Sequence, residues 1–396
     1  MKQLVSLVAV VACLWSASAA GQDLADHPEV ASQIKLMDAW IQAQMKDIDL
    51  PGLVIGVVHD QEVVWSKAYG HADVERDTPM QSDSIFRIAS HSKLFTSIAI
   101  LQLRDAGKLR LDDPITDHLP WFDMQNPYPE AEPVRIWNLL THSAGLPRES
   151  DHPSWTEFEF PTGEDLRETV SQQQAAYPAA TVWKYSNLGL SLAGAIVETV
   201  SGREYEEYVE TEIMAPLGMT SSSVGVPSDV HRVRLVTGYG RRWPDKPREA
   251  MPFIDARAFD PATGLSSSVE DMLRFLSWQM RLRAEHVTEV LPVLDGAAHV
   301  GDGPCGVTSD AGCYSDSLII GRFASNGVPG FLNEQRRGSN RCQGHASLFD
   351  IAVIQDHRHS CSCYRDVHLV SGDEPDVVRA GVGNGGWEVK RNQNFV

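Results

Sequence analysis

Apolar residues along the chain switch between two periods, and the switches mark out its elements. Val30 to Lys46 carries Ile34, Met37, Trp40, Ile41 and Met45 at three-to-four spacing, which predicts an amphipathic helix. Pro51-Gly52 breaks that pattern, and Leu53-Val54-Ile55-Gly56-Val57-Val58 follows as a β-branched run. His59-Asp60-Gln61-Glu62 reads as a turn and Val63 to Gly70 as a returning strand, so the pair predicts a hairpin and an antiparallel sheet. Leu94, Ile98 and Leu101 mark one face of the next helix. Phe95, Ala99 and Leu103 make its other faces nearly as apolar, so a buried helix is expected, ending at Gly107. Leu109 to Pro120 reads as loop, because Pro114 and Pro120 bar regular helix.

From about residue 134 to 282 the pattern is mostly helical with loops. Helices are expected over Leu188 to Val200, stopped at Ser201-Gly202, then Tyr205 to Ile213, then Val269 to Met280. Beyond Pro292 the alternation is sparse, and Leu318-Ile319-Ile320 and Leu348 to Ile354 are the best strand candidates.

Two short stretches on this framework carry chemistry. Ser90-His91-Ser92-Lys93 opens the buried helix, and residues three apart on a helix are neighbours on one face. A serine hydroxyl is a poor nucleophile until a base takes its proton. A lysine amine serves as that base once burial lowers its pKa. Ser-x-x-Lys occurs twice, and Ser32-Gln33-Ile34-Lys35 lies on an ordinary amphipathic stretch. Either copy alone reads equally as a helix cap beside a solvated lysine. Tyr185-Ser186-Asn187, the only Tyr-x-Asn in the chain, directly precedes the Leu188 helix. A loop tyrosine there can act as base or proton shuttle toward a distant serine. Asn187 adds a neutral donor and acceptor for a substrate amide or for the lysine. A helix-capping Ser-Asn beside a packed tyrosine is the plainer alternative.

Together these residues resemble the class C β-lactamase and penicillin-binding-protein family of serine hydrolases, which includes esterases and D-amino-acid peptidases. Leu53 to Gly70 is similar to the family's opening hairpin, and Phe86 to Leu111 to its nucleophile helix and following turn. Leu139 to Pro147, Trp183 to Gly189, Ala215 to Thr220 and Gly264-Leu265-Ser266-Ser267 also resemble family segments, in order, from about Ala31 to Leu282. The resemblance implies an α/β (α+β) fold: an antiparallel sheet flanked by helices, joined to an all-helical domain, with the active site between them. It implies Ser90 as the acylated nucleophile, Lys93 as the amine that activates it, and Tyr185 as second base and leaving-group donor. No metal or other cofactor is implied. The backbone N–H of Ser90 is expected to supply half of the oxyanion hole. The expected substrate is a small acyl compound: a β-lactam, a D-amino-acid peptide or an ester.

The family's third motif, Lys-Thr-Gly or His-x-Gly on a late strand, has no assigned counterpart. Gly344-His345-Ala346-Ser347 reads as the nearest sequence, and it lacks the glycine after His345; Gly383-Asn384-Gly385-Gly386 lacks the basic residue. Residues 292–396 also differ in composition, holding five of the six cysteines. Cys342, His345, His357, His359, Cys361 and Cys363 are zinc-type ligands at a spacing that fits no zinc module, and five cysteines cannot all pair within the tail. A shifted reading frame or replaced 3′ end is the preferred reading, which would leave the hairpin's edge unpaired. Without that motif the alternative function is a catalytically impaired binding protein that keeps the cleft.

The remaining features bound the setting. At 396 residues and net charge −19, the chain has room for a large core and does not suit a nucleic-acid surface. Residues 1–20 combine a lysine, an apolar run from Leu4 to Leu14 and small residues at Ser16 to Ala20. They read as a secretory signal, so a secreted or periplasmic protein without an integral span is expected, over residues 21–291 and the tail. A lipoprotein box ending at Cys13 is the lesser alternative.

Overall fold

The computed structural model describes residues 24–59, 61–243, 245–284, 317–324, 348–355, 364–368, 377–383 and 386–391. The chain divides into two compact units, Met1–Gln44 and Met45–Val396. The first predicted helix runs over Pro28–Ile48. Proline is well placed as its opening residue, since the first N–H of a helix has no intrahelical partner. Ser32, in the second Ser-x-x-Lys copy, donates its hydroxyl to the Pro28 carbonyl at 2.7 Å, an ordinary helix serine.

The expected hairpin forms as β1 (Gly52–His59) and β2 (Glu62–Asp73), antiparallel, with Leu53 opposite Tyr69 and a register shift between Val57 and Val58. In chain order, β3 is Thr78–Pro79, β4 is Ile85–Arg87, β5 is Gly238–Tyr239, β6 is Ala250–Met251 and β7 is Ser266–Ser268. Both late strand candidates form, as β8 (Ser317–Ala324) and β9 (Leu348–Gln355), followed by β10 (Tyr364–His368), β11 (Val377–Gly383) and β12 (Gly386–Arg391). The main sheet has the order β12-β11-β10-β9-β8-β1-β2-β3. The unpaired hairpin edge expected of an unrelated tail is therefore absent. β1 has β2 on one side and β8 on the other, with Val54 opposite both Ala68 and Phe323. The fold is a mixed α/β one of antiparallel sheets and helices.

The helix over Val269–Ala284 crosses β1 closely, and Gly56 makes that approach workable: a Cβ there would lie 2.7 Å from both Leu273 methyl carbons. The buried helix spans Ser92–Asp105, and Gly107 beyond it takes φ +68°, as expected of a helix stop. Its buried stripe differs from the one predicted. Phe95, Ala99 and Ile100 are wholly buried, whereas Leu94 is 37% exposed. Phe95 stacks on Phe275 with ring centroids 4.7 Å apart, worth about 0.5–1.5 kcal/mol beyond the burial itself.

The Asn187–Ser201 helix buries Leu188, Leu192 and Ile196 and ends at Gly202, which takes φ +72°. Within the stretch read as loop, a single helical turn forms over Ile115–His118. Pro114 stands just before it, where a missing N–H costs nothing, and Pro120 just after, so both prolines bound the turn rather than forbid it. Tyr205–Val209 passes into a π turn over Glu210–Met214 before Pro216.

Candidate active site

The sequence opens the Ser90 helix one turn earlier than an α-helix forms. Ser90 lies in a 3₁₀ turn, Ala89–His91, and the α-helix starts at Ser92. Strand pairing aims this turn: β4 pairs with β7, Arg87 opposite Ser266, and the Ile88 N–H donates to the Leu265 carbonyl at 2.9 Å. Ser92 closes the turn from inside, donating its hydroxyl to the Ala89 carbonyl at 2.6 Å and accepting the Leu265 N–H at 3.0 Å. Ala89 is held at φ +46°, a left-handed conformation that costs a non-glycine residue roughly 1–2 kcal/mol. That strain is maintained by the surrounding bonds and presents Ser90 at an exposed tip.

Lys93, one turn on, is buried at 9% exposure. Its ammonium donates to the Ala262 carbonyl at 2.7 Å. Ala262 belongs to the one-turn helix Asp260–Thr263, whose last three carbonyls accept from side chains: Pro261 from Thr96 at 2.6 Å, Ala262 from Lys93, Thr263 from Arg87 at 3.2 Å. A short helix end leaves such carbonyls without backbone partners, and here they seat the lysine. Burial lowers the Lys93 pKa to about 7, with Glu149 opposing the shift and Arg148 reinforcing it. At neutral pH a large share of the amine is therefore unprotonated.

Tyr185 brings the second group. Its hydroxyl lies 2.7 Å from the Ser90 hydroxyl. The Lys93 nitrogen is 4.9 Å from the centre of its ring, and the Arg148 guanidinium carbon 5.2 Å. The His142 ring lies 4.6 Å away, tilted by 34°. Burial raises the phenol above its ordinary value, with the Ser90 hydrogen bond and Arg148 acting against the shift. Tyr185 consequently keeps its proton at neutral pH. Of the two bases left open by the sequence, only Lys93 has a pKa suited to the task.

Asn187 is placed differently from a residue facing substrate. It is 3% exposed, and its amide N–H donates to the Glu149 carboxylate at 2.7 Å. Its backbone N–H reaches the Arg148 carbonyl at 2.8 Å. Its side-chain carbonyl has no hydrogen-bond partner among the described residues. Ser186 caps the helix as expected, accepting the Gly189 N–H at 2.9 Å and donating to the Pro147 carbonyl at 2.7 Å.

Sequence reasoning missed three residues near the tyrosine: His142, Arg148 and Glu149. Their segment, Leu139 to Pro147 and just beyond, was noticed only as a resemblance, because its side chains carry no spacing that names a role. The segment turns at Gly145, where φ is +70° and a Cβ would lie 2.0 Å from the Tyr177 carbonyl oxygen. Glu149 is buried, which raises its carboxyl pKa against the pull of Arg148 and Asn187.

The third motif needs a correction. His299-Val300-Gly301 spells His-x-Gly, with the glycine that the His345 segment lacks. It lies outside the described residues, as do Cys13, the 1–20 leader, His345 and the tail's Cys and His residues named above. Among the described residues no group of three or more His, Cys, Asp and Glu side chains could hold a metal ion, and no helix is long and apolar enough to cross a membrane.

Comparison with known proteins identifies the chain's family. Residues 37–303, well over half of the chain, match the family model described as Beta-lactamase. Beta-lactamase-like protein 2 of Dictyostelium discoideum is 30% identical over 265 residues, covering 66% of this chain and 48% of its own length. Esterase EstB of Burkholderia gladioli is 28% identical over 277 residues, covering 63% of this chain and 70% of its own. The chain thus spans about half the length of the first of these relatives. Among solved structures, a beta-lactamase/D-alanine carboxypeptidase from Yersinia pestis, complexed with citrate, superposes with a TM-score of 0.51 at 25% identity, covering 61% of this chain and 68% of that one. The chain belongs to the beta-lactamase family of hydrolase-fold proteins.

Proposed function

We propose that the protein is a serine hydrolase that works through an acyl-enzyme. The observation that carries the reading is the Ser90–Tyr185 hydrogen bond of 2.7 Å, one helical turn from a buried lysine whose pKa falls to about 7. The Ser90 oxygen attacks a substrate carbonyl, its O–H bond breaks, and its proton is relayed by the Tyr185 hydroxyl, hydrogen-bonded to Ser90, to the neutral Lys93 amine. The Ser90 backbone N–H faces the developing oxyanion as one of its donors. Tyr185 then protonates the leaving amine or alcohol and is recharged by Lys93. Water repeats the sequence on the ester and frees Ser90.

The substrate class proposed is a small ester, a D-amino-acid peptide or a β-lactam. The ester rests on the likeness to an esterase, the peptide and β-lactam on the likeness to a beta-lactamase/D-alanine carboxypeptidase. Export through residues 1–20 to the periplasm or exterior belongs to the same proposal; N-terminal sequencing of the mature chain tests it, and an acylated Cys13 would replace it. A fluorophosphonate probe should label Ser90 and a p-nitrophenyl ester should turn over many times. Undiminished labelling of Ser90→Ala would overturn the assignment of the nucleophile.

A second reading, acylation without turnover, is favoured by the third motif, spelled only at His299, eighteen residues before β8 begins at Ser317. One burst of product per chain would support it, and repeated turnover would exclude it. Resequencing the coding region around codons 284–300 tests whether the tail is a shifted frame.

A further inference from the structure

His142 makes contacts with four consecutive residues around the proton donor. Its backbone carbonyl accepts the Lys184 N–H at 2.7 Å, and its ring nitrogen Nδ1 accepts the Ser186 N–H at 3.2 Å. Its ring lies 4.6 Å from that of Tyr185 and meets Trp183 edge-on at 6.0 Å. The residue achieves this from a left-handed conformation, φ +57°, which a histidine adopts at some cost. Because Nδ1 accepts from a backbone N–H, it carries no proton, so the ring is neutral with its hydrogen on Nε2. Burial, and then Lys93, hold its pKa down to about 4, which keeps it so across the working range.

No helix or strand holds Tyr185, since residues 183–186 precede the Asn187–Ser201 helix in irregular chain. The bonds that hold it come from the 142–149 segment. Of that segment, the His142 side chain touches both the tyrosine ring and the Ser186 N–H beyond it.

We infer that His142 is a positioning residue that holds the Tyr185 hydroxyl on Ser90 by clamping residues 183–186. This rests on the serine hydrolase reading above. A protonated or absent ring cannot take the Ser186 N–H, and the tyrosine loop then loses its register against the nucleophile. A misplacement of about 1 Å in such a pair costs on the order of 100-fold in rate. The groups facing Tyr185 are Ser90, Lys93, His142, Arg148 and, through Asn187, Glu149.

Three variants of the full chain test the clamp. His142→Ala should lower kcat for a p-nitrophenyl ester by about 10- to 100-fold with KM within about two-fold. His142→Phe keeps the ring but not the acceptor and should behave similarly. Asparagine tolerates the left-handed conformation and offers a short side-chain acceptor, so His142→Asn should recover most of the loss. A kcat for His142→Ala equal to wild type, or a loss that falls on KM alone, overturns the clamp. If His142→Ala fails to fold, the contrast between His142→Phe and His142→Asn decides the matter: equal rates overturn it.

A second readout does not depend on activity. The Tyr185 phenol, followed by tyrosinate absorbance against Tyr185→Phe, should titrate above its ordinary value in the wild type and move down toward it in His142→Phe as water enters. An unchanged titration overturns the clamp even if no substrate is ever found. An unlabelled Ser90 with a shifted titration fails the hydrolase reading while sustaining the clamp.

Discussion

Two halves of the site are held by different kinds of structure. Ser90 and Lys93 sit on one helix start, so their spacing is set by helix geometry and by the buried stripe of Phe95, Ala99 and Ile100 beneath it. Tyr185 sits in irregular chain and is held by bonds to residues 142–149, more than thirty positions earlier. The first half is a local arrangement that packing rigidifies. The second is a long-range one whose every bond can be lost singly. Changes in the helix half should therefore act on chemistry alone or on folding alone, while changes in the loop half should act through geometry.

The largest expected effect is chemical. Ser90→Ala should abolish fluorophosphonate labelling and lower ester hydrolysis by roughly a million-fold, down to the level given by binding alone.

Lys93→Arg comes next, with an expected loss of about 100- to 10,000-fold in acylation, because arginine keeps the charge but stays protonated. Circular dichroism should report an intact fold. Acylation at the wild-type rate would remove lysine from the role of base. The sign of the pH dependence follows from the same residue. Its pKa falls from 10.5 to about 7 on folding. The active, unprotonated form therefore grows as pH rises through 7, and the acylation rate should climb there and level off above it. A flat profile from pH 6 to 8 would contradict the assignment.

Stability should follow the same titration. Below pH 7 the buried ammonium costs the fold its full penalty, and stability should rise between pH 7 and about 10 as the native state sheds its proton before the unfolded chain does. Lys93→Met removes that penalty but strands the Ala262 carbonyl. It should be more stable than wild type by about 1–2 kcal/mol at pH 6, read as a higher denaturant midpoint.

The loop half is probed more gently. Glu149→Gln keeps a neutral acceptor for Asn187 and removes a buried carboxylate, and should cost about 10-fold or less in kcat. A larger loss, matching that of Lys93→Arg, would mean that Glu149 has chemistry of its own. Lys67→Arg on β2, outside the site, should change nothing measurable.

What could be read in the sequence follows this division closely. Ser90 and Lys93 were legible because their three-residue spacing at the start of an apolar helix comes with Tyr185-Ser186-Asn187 and the other family-like segments in order. β1, β2, β8, β9 and the long helices were legible because burial imposes a period of two or of three to four. Leu94 was misassigned, since a nearly all-apolar helix does not say which side meets solvent. The turn at Ile115–His118 was missed because proline excludes helix interiors but not helix starts. His299 stands out less, because a three-residue spelling has no periodic context around it.

The sequence by itself marked Ser90, Lys93 and Tyr185 as the groups proposed to carry the chemistry, and fixed their order along the chain, because reactivity belongs to residue types and local spacing. Only the tertiary structure decided that Tyr185 meets Ser90, that Lys93 rather than Tyr185 has the pKa of a base, and that Asn187 turns to Glu149. Each of these depends on burial and on bonds between segments far apart in the chain, and neither burial nor such bonds leave a period or a motif to read.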